Sequence, residues 1–259
     1  MAMKFLERYL QECKTLLAFL LAVIVILTFV WLITLVNLAR PEFGYHFMSN
    51  NTEITITEYR WNRSEIQIPS HIHSLPVTAI AESVFVSSNR QGIRRGPITS
   101  VTIPDGVTHI GRGAFLMNRI TYLSIPNSIT TIGSSAFADN QLTYVTIPSN
   151  LTEIEAGVFR TNHLTSITIS YGVTSIGQRA FYRNRLTSVT IPYGVTSIGE
   201  RAFFSNRLTS ITIPDSVTYI GRGAFRNNQL TYVTIPYHTT LDENAFDSGV
   251  TVIRKNFDH

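Results

Sequence analysis

Six tyrosines recur at two phases of one spacing. Tyr122 and Tyr144 stand 22 residues apart with Tyr232 in the same phase, while Tyr171, Tyr193 and Tyr237 share a second phase. A rigid ring ending in a hydroxyl gives contact area and a directed hydrogen bond at small entropic cost, which suits macromolecular recognition rather than bond making. Threonines keep step with them: Thr143, Thr165, Thr187 and Thr209 lie in one row, Thr146, Thr168, Thr190 and Thr212 in another. Stacked threonines suit any parallel sheet and need no ligand. Five arginines are also in phase, Arg179 with Arg201, and Arg119 with Arg185 and Arg207. On coils ~4.8 Å apart they would form a stripe for sulfate, phosphate or acidic protein groups. The plainer alternative is solvated charge that opposes aggregation, with Glu200 and Asp139 close by in sequence.

Little else in the chain has the spacing of a reactive site. His71 and His73 form an H-x-H pair without a carboxylate or cysteine at supporting distance, so no metal site is expected. No nucleophile elbow, phosphate loop, H-E-x-x-H or paired acidic motif occurs, so neither catalysis nor a cofactor is expected. The single cysteine, Cys13, excludes an internal disulfide framework. Only 15% of the 259 residues are charged, and the formal charge is +4. That argues against a nucleic-acid protein with a dense basic face. From Pro41 onward the basic residues are sixteen arginines and one lysine, Lys255. The sequons at Asn50, Asn62 and Asn150 matter only in a host that glycosylates secreted proteins.

The element that must position these residues is a repeat. Phe115, Phe137, Phe159, Phe181, Phe203 and Phe225 are each 22 residues apart, and Phe246 follows at 21. Asn118, Asn140, Asn162, Asn184, Asn206 and Asn228 run in step. Regular units start at Ile98, Ile120, Leu142, Leu164, Leu186 and Leu208, with a shortened one at Leu230. Numbering positions from those starts, 1, 4 and 6 are apolar (Leu142, Val145, Ile147) and 2, 3 and 5 polar, which predicts a strand with one buried face. The proline after it, Pro148, ends the strand. Val195–Ile198 is long enough for a second strand, Gly199 is read as permitting a turn, and Ala202 and Phe203 as filling the coil interior. The recurring Asn is expected to bond backbone groups in a row of tight turns. No unit can bury its apolar edge alone, so the expected fold is mainly β: a solenoid of 22-residue right-handed parallel coils. Ile54–Tyr59 reads as a preceding strand, Ser87–Pro97 as an inserted loop, and Val250–Ile253 as a closing strand.

A different segment precedes the repeats. Thr15–Val36 carries no charge and is nearly all aliphatic or aromatic, and as a helix 22 residues reach ~33 Å, enough to cross a bilayer. It is longer than the apolar region of a cleaved signal peptide, and its exit, Asn37-Leu38-Ala39, lacks a small-x-small site. Lys4, Arg8 and Lys14 before it against Arg40 after it predict an uncleaved anchor with the carboxyl end outside the cytoplasm. The expected organisation is a cytoplasmic segment 1–14, a transmembrane signal anchor 15–38, a connector 39–53, the solenoid 54–253 and a tail 254–259. Within the solenoid, 54–97 is an irregular first unit, 98–229 the regular units and 230–253 the last unit and cap.

The unit LTSVTIPYGVTSIGERAF, Leu186–Phe203, and the opening pattern IQIPSHIHSLPVTAIAESVF, Ile66–Phe85, resemble the BspA-like leucine-rich repeat proteins of bacterial and some protozoan cell surfaces. The resemblance covers about Ile54–Ile253 through its Ile-Pro, Ile-Gly and Ala-Phe pairs. It implies adhesion to host or partner-cell surfaces and no catalytic residues. This chain differs in its amino-terminal anchor and small number of repeats. The resulting expectation is a membrane-anchored extracytoplasmic protein that binds an extracellular or envelope protein or glycan through the tyrosine face. The arginine stripe is the competing surface, and structural assembly of the cell envelope the competing role.

Overall fold

The computed structural model describes residues 43–47, 52–60, 62–87 and 96–255. Thr15–Val36, Cys13 and most of the inserted loop lie outside them. The described residues form strands and turns with no helix, so none among them is long and apolar enough to cross a membrane.

The coils stack through two parallel ladders, the first made of short strands in some coils and single bridges such as Thr190–Thr212 in others. In the first, Tyr144–Thr146 pairs with Ser166–Thr168 in a register that sets Val145 beside Ile167. Alternation puts Val145 inside and Tyr144 and Thr146 outside, and Leu142 and Ile147 are buried on either side. The second ladder joins two-residue strands, Glu153–Ile154, Ser175–Ile176, Ser197–Ile198, Tyr219–Ile220 and Thr240–Leu241, with Ile176, Ile198 and Ile220 stacked inside.

Two columns run the length of the stack because a 22-residue period turns identical residues into neighbours. Eight phenylalanines, from Phe85 to Phe246, stack face to face with centroids 4.9 to 5.8 Å apart. Phe85 and Phe115 are 30 residues apart yet stack at 4.9 Å, so the inserted loop leaves the column undisturbed. Tyr59 and Phe43 both pack on Phe85 at the amino end. The second column is asparagine. Asn184 accepts the Leu164 N–H and donates to the carbonyls of Phe159 and Phe181, at 3.1, 2.9 and 3.2 Å. Asn140, Asn162 and Asn206 repeat the pattern, so buried amides join each coil to the one before.

Gly199 begins the expected turn, its carbonyl accepting the Ala202 N–H at 3.2 Å, but glycine is needed there for a different reason than turn conformation. Its φ is not left-handed, and a Cβ there would meet the backbone N of Gln178 in the preceding coil at 2.7 Å. Close approach of neighbouring coils is what demands glycine at position 14. The left-handed conformation falls two residues later, at Gly113, Ser135, Gly157, Arg179, Arg201 and Gly223.

The exception at position 14 is Glu155, and the second ladder stops there. Gly133, Gly177, Gly199 and Gly221 each donate their N–H to the isoleucine carbonyl one coil back, but Glu155 does not, and Thr131–Ile132 does not pair with Glu153–Ile154. A Cβ alone is not the cause, since Ala81 and Asp242 keep the corresponding bonds to Ile56 and Ile220; what differs is the longer Glu155 side chain, which reaches back to accept the Ser134 hydroxyl at 2.8 Å. The Phe137–Phe159 stack at 5.8 Å and the bond from Asn162 to the Phe137 carbonyl keep the coils joined on the other.

The ends depart from the repeat. Part of the expected connector, Phe43–Phe47, is a strand antiparallel to Ile54–Tyr59, so the sheet begins at Phe43. His71–Ile72 folds back on Leu75–Ile80 through His73 and Ser74, both at positive φ as a two-residue hairpin requires. At the far end Thr251–Lys255 pairs with Tyr232–Pro236, and Arg254 donates to the carbonyls of Tyr237 and Thr239 at 2.8 Å. Arg254 and Lys255, expected in the tail, therefore belong to the closing strand.

Candidate functional site

All six tyrosines singled out by spacing are exposed. Tyr122, Tyr144 and Tyr232 project outward from the first ladder, where alternation with Leu123, Val145 and Val233 leaves them no inward position. Tyr171, Tyr193 and Tyr237 follow the strand at the turn. Tyr171 is 84% and Tyr193 77% exposed, and no ring contact between them is among the described contacts. A Cβ added at Gly194 would lie 2.8 Å from the Tyr171 carbonyl oxygen, so the backbones beneath them are close while both rings face solvent. Tyr144 is the most restrained of the six. Thr146 donates to its hydroxyl at 2.9 Å and Thr168 lies 3.1 Å away. Those two bonds, Thr146 first, favour the phenolate and lower the Tyr144 pKa below the ordinary tyrosine value.

Spacing overlooked one further tyrosine. Tyr219, in the second ladder, donates to Asp242 at 2.6 Å, and this bond to a carboxylate raises its pKa. It shares a phase with His109, Thr131 and Ser175, so no recurrence marked it.

The arginine stripe divides in two. Arg179 and Arg201 occupy left-handed turn positions, and Arg201 lies 3.6 Å from Glu200. Arg119, Arg185 and Arg207 sit six positions later, beyond the buried asparagine, each closing its coil through an N–H bond to Ile98, Leu164 or Leu186. Their side chains are exposed and make no ion pair among the described residues.

What the search for recurrence also missed is a cleft of about 270 Å³ lined by Arg201, Phe204, Arg222, Gly223, Arg226 and Asn244. Its only signal in the sequence is a break in pattern: position 16 runs Arg179, Arg201, Gly223, and position 19 runs Tyr182, Phe204, Arg226. Among the described residues no group of three His, Cys, Asp or Glu side chains is placed to hold a metal.

Stacked 22-residue coils with an asparagine column and a phenylalanine column define a leucine-rich repeat solenoid. The chain belongs to the BspA type leucine rich repeat region family, whose model matches in six copies over residues 47–162, 94–208 and 132–253. A search of curated proteins finds no match. Among solved structures the chain is similar to a leucine rich cell surface protein from Faecalibacterium prausnitzii. The two are 24% identical over 84% of this chain and 76% of that one, with a TM-score of 0.52. A leucine-rich repeat protein from Bacteroides ovatus is 20% identical over 83% of this chain and 67% of that one, with a TM-score of 0.47.

Proposed function

We propose that this chain is a membrane-anchored, extracytoplasmic binding protein without enzymatic activity, whose tyrosine and threonine face contacts a protein or glycan at the cell surface. The observation that carries the reading is the pair of exposed tyrosine rows on one stacked scaffold. A tyrosine side chain has only two torsions to fix, so exposed rings on a stacked scaffold give contact area at small entropic cost, as in protein recognition sites. The uncharged run Thr15–Val36 with its basic amino side supports retention in the membrane with the solenoid outside. The surface location stated for the Faecalibacterium protein agrees with that orientation.

The deciding experiment compares Tyr171→Ala/Tyr193→Ala with Arg185→Ala/Arg207→Ala, both in the full chain, for retention of solubilised surface proteins and glycans. Binding through the aromatic face is lost in the tyrosine variant and survives moderate salt. Binding through the arginines is lost in the other variant and weakens as the screening length falls from ~10 Å at 0.1 M to ~3 Å at 1 M salt. Loss in the arginine variant alone overturns the choice of face. Release of a shortened protein by alkaline carbonate overturns the anchor.

A further inference from the structure

We propose that the cleft around Gly223 binds an acidic sugar unit of an anionic polysaccharide, at a site separate from the tyrosine face. The cleft exists because two rows change at the same coil. The Tyr182 and Phe204 rings stack at 5.5 Å, with the Arg183 guanidinium 5.2 Å from the first centroid and that of Arg201 6.0 Å from the second. One coil further the ring is replaced by Arg226 and the arginine by Gly223, so the aromatic stack ends against an open space. A Cβ on Gly223 would touch Arg201 Cγ at 3.5 Å, Arg226 Cδ at 3.8 Å and Phe204 Cδ2 at 3.8 Å. The missing side chain is therefore what keeps the space empty, and an aromatic ring and two arginine stems bound it.

Its charge is unbalanced. Arg201, Arg222 and Arg226 face two carboxylates: Glu200, 3.6 Å from Arg201 and 3.3 Å from Arg222, and Asp247, 3.8 Å from Arg226. The other oxygen of Asp247 already accepts the Asn227 N–H at 2.8 Å. Each guanidinium carries five N–H donors, and with the Arg201, Arg222 and Arg226 side chains 36%, 59% and 49% exposed, donors beyond those in the ion pairs are open to an anion. A carboxylate or sulfate takes such donors in bidentate pairs.

Size and the ring select among anions. About 270 Å³ lies below the usual ~300–1,000 Å³ of sites for drug-sized ligands and suits one hexose ring. Free phosphate would gain nothing from Phe204, and a neutral sugar nothing from three arginines. A uronic acid uses both, laying its C–H face on the ring and its carboxylate on the guanidiniums. The Tyr182 and Arg183 pair on the preceding coil extends the same surface for the next unit of a polymer.

The repeat supplies substitutions the fold already accepts. Gly223→Arg fills the cleft at a φ that Arg179 and Arg201 adopt, and Phe204→Leu installs the residue found at the equivalent Leu116. The probes are a galacturonate hexamer, a neutral galactose hexamer and a glutamate hexapeptide, titrated calorimetrically into the full chain. Binding of the galacturonate, with the neutral sugar weaker by about tenfold or more, supports the site. Both variants should weaken galacturonate binding by about tenfold or more at unchanged melting temperature, while Tyr171→Ala/Tyr193→Ala leaves it intact. Absence of galacturonate binding, equal binding of the neutral sugar, or retention in Gly223→Arg overturns the proposal. Should Gly223→Arg not fold, unchanged affinity in Phe204→Leu overturns it. So does equal affinity for the peptide, which would mean that charge alone is recognised.

Discussion

Replacing Asn184 by alanine tests the asparagine column most directly, because the consequences differ among its three partners. The Leu164 N–H has no other acceptor and becomes a buried orphan. The Phe159 carbonyl keeps a donor in Asn162, and the Phe181 carbonyl keeps one in Asn206. An orphaned buried N–H costs about 1–3 kcal/mol, and two carbonyls that each lose one of two donors add less than a full bond apiece. The sum is about 2–4 kcal/mol. A solenoid couples each coil mainly to its neighbours, so a global melt can blur the effect and the sharper assay is native-state hydrogen exchange. Exchange at Leu164 should accelerate by roughly thirtyfold to several hundredfold, the equivalent of that energy. The Leu208 amide, held by Asn228 two coils away, should change far less. A melting temperature that falls while Leu164 exchange stays slow would show that Asn184 acts through packing, refuting the hydrogen-bond argument. Asn184→Asp keeps the acceptor but loses both donors and buries a charge, so desolvation raises the new carboxyl's folded pKa. A raised folded pKa means stability is lost as pH rises, and this variant should recover as pH falls.

Two further outcomes follow from the glycine geometry. Gly199→Ala drives a Cβ to 2.7 Å from the Gln178 backbone and should cost more than Gly223→Ala, which meets only side-chain atoms at 3.5 Å or more and loses about 1–2 kcal/mol to its left-handed φ. Urea denaturation of both variants checks the order, and an equal or larger loss for Gly223→Ala contradicts the assignment of close approach to position 14. Glu155→Gly should let the second ladder close, giving residue 155 an N–H bond to the Ile132 carbonyl like that of Gly177 to Ile154. Slower exchange of that amide is the readout, and unchanged exchange means something other than the Glu155 side chain parts the coils.

The columns were legible in the sequence because stacking identical coils converts a period into contact. Phe181 needs a neighbour at 159 and one at 203, and that demand writes itself as a 22-residue recurrence. Residues outside this translational rule were not legible. Phe43–Phe47 pairs antiparallel with Ile54–Tyr59 and covers the open end of the stack, where no preceding coil imposes a pattern. Position 16 hid its left-handed backbone because glycine, serine and arginine all occupy it. Equal phase also misled: Arg179 with Arg201 and Arg185 with Arg207 share the period but stand on either side of the buried asparagine.

The same rule explains why the surfaces that bear on function are the irregular ones. A residue repeated in every coil is required by every coil, and its presence reports packing rather than purpose. Tyr122, Tyr144 and Tyr232 occupy a phase that carries serine at Ser166, Ser188 and Ser210, so the strand does not need an aromatic ring there. Position 16 carries glycine at Gly113, Gly157 and Gly223 but arginine at Arg179 and Arg201, so a full side chain fits where Gly223 leaves a space. Glu155 stands where the other regular units have glycine, and the ladder opens beside it. In each case the fold tolerates the change without requiring it, which is the condition under which a residue can be retained for what it touches outside the coil.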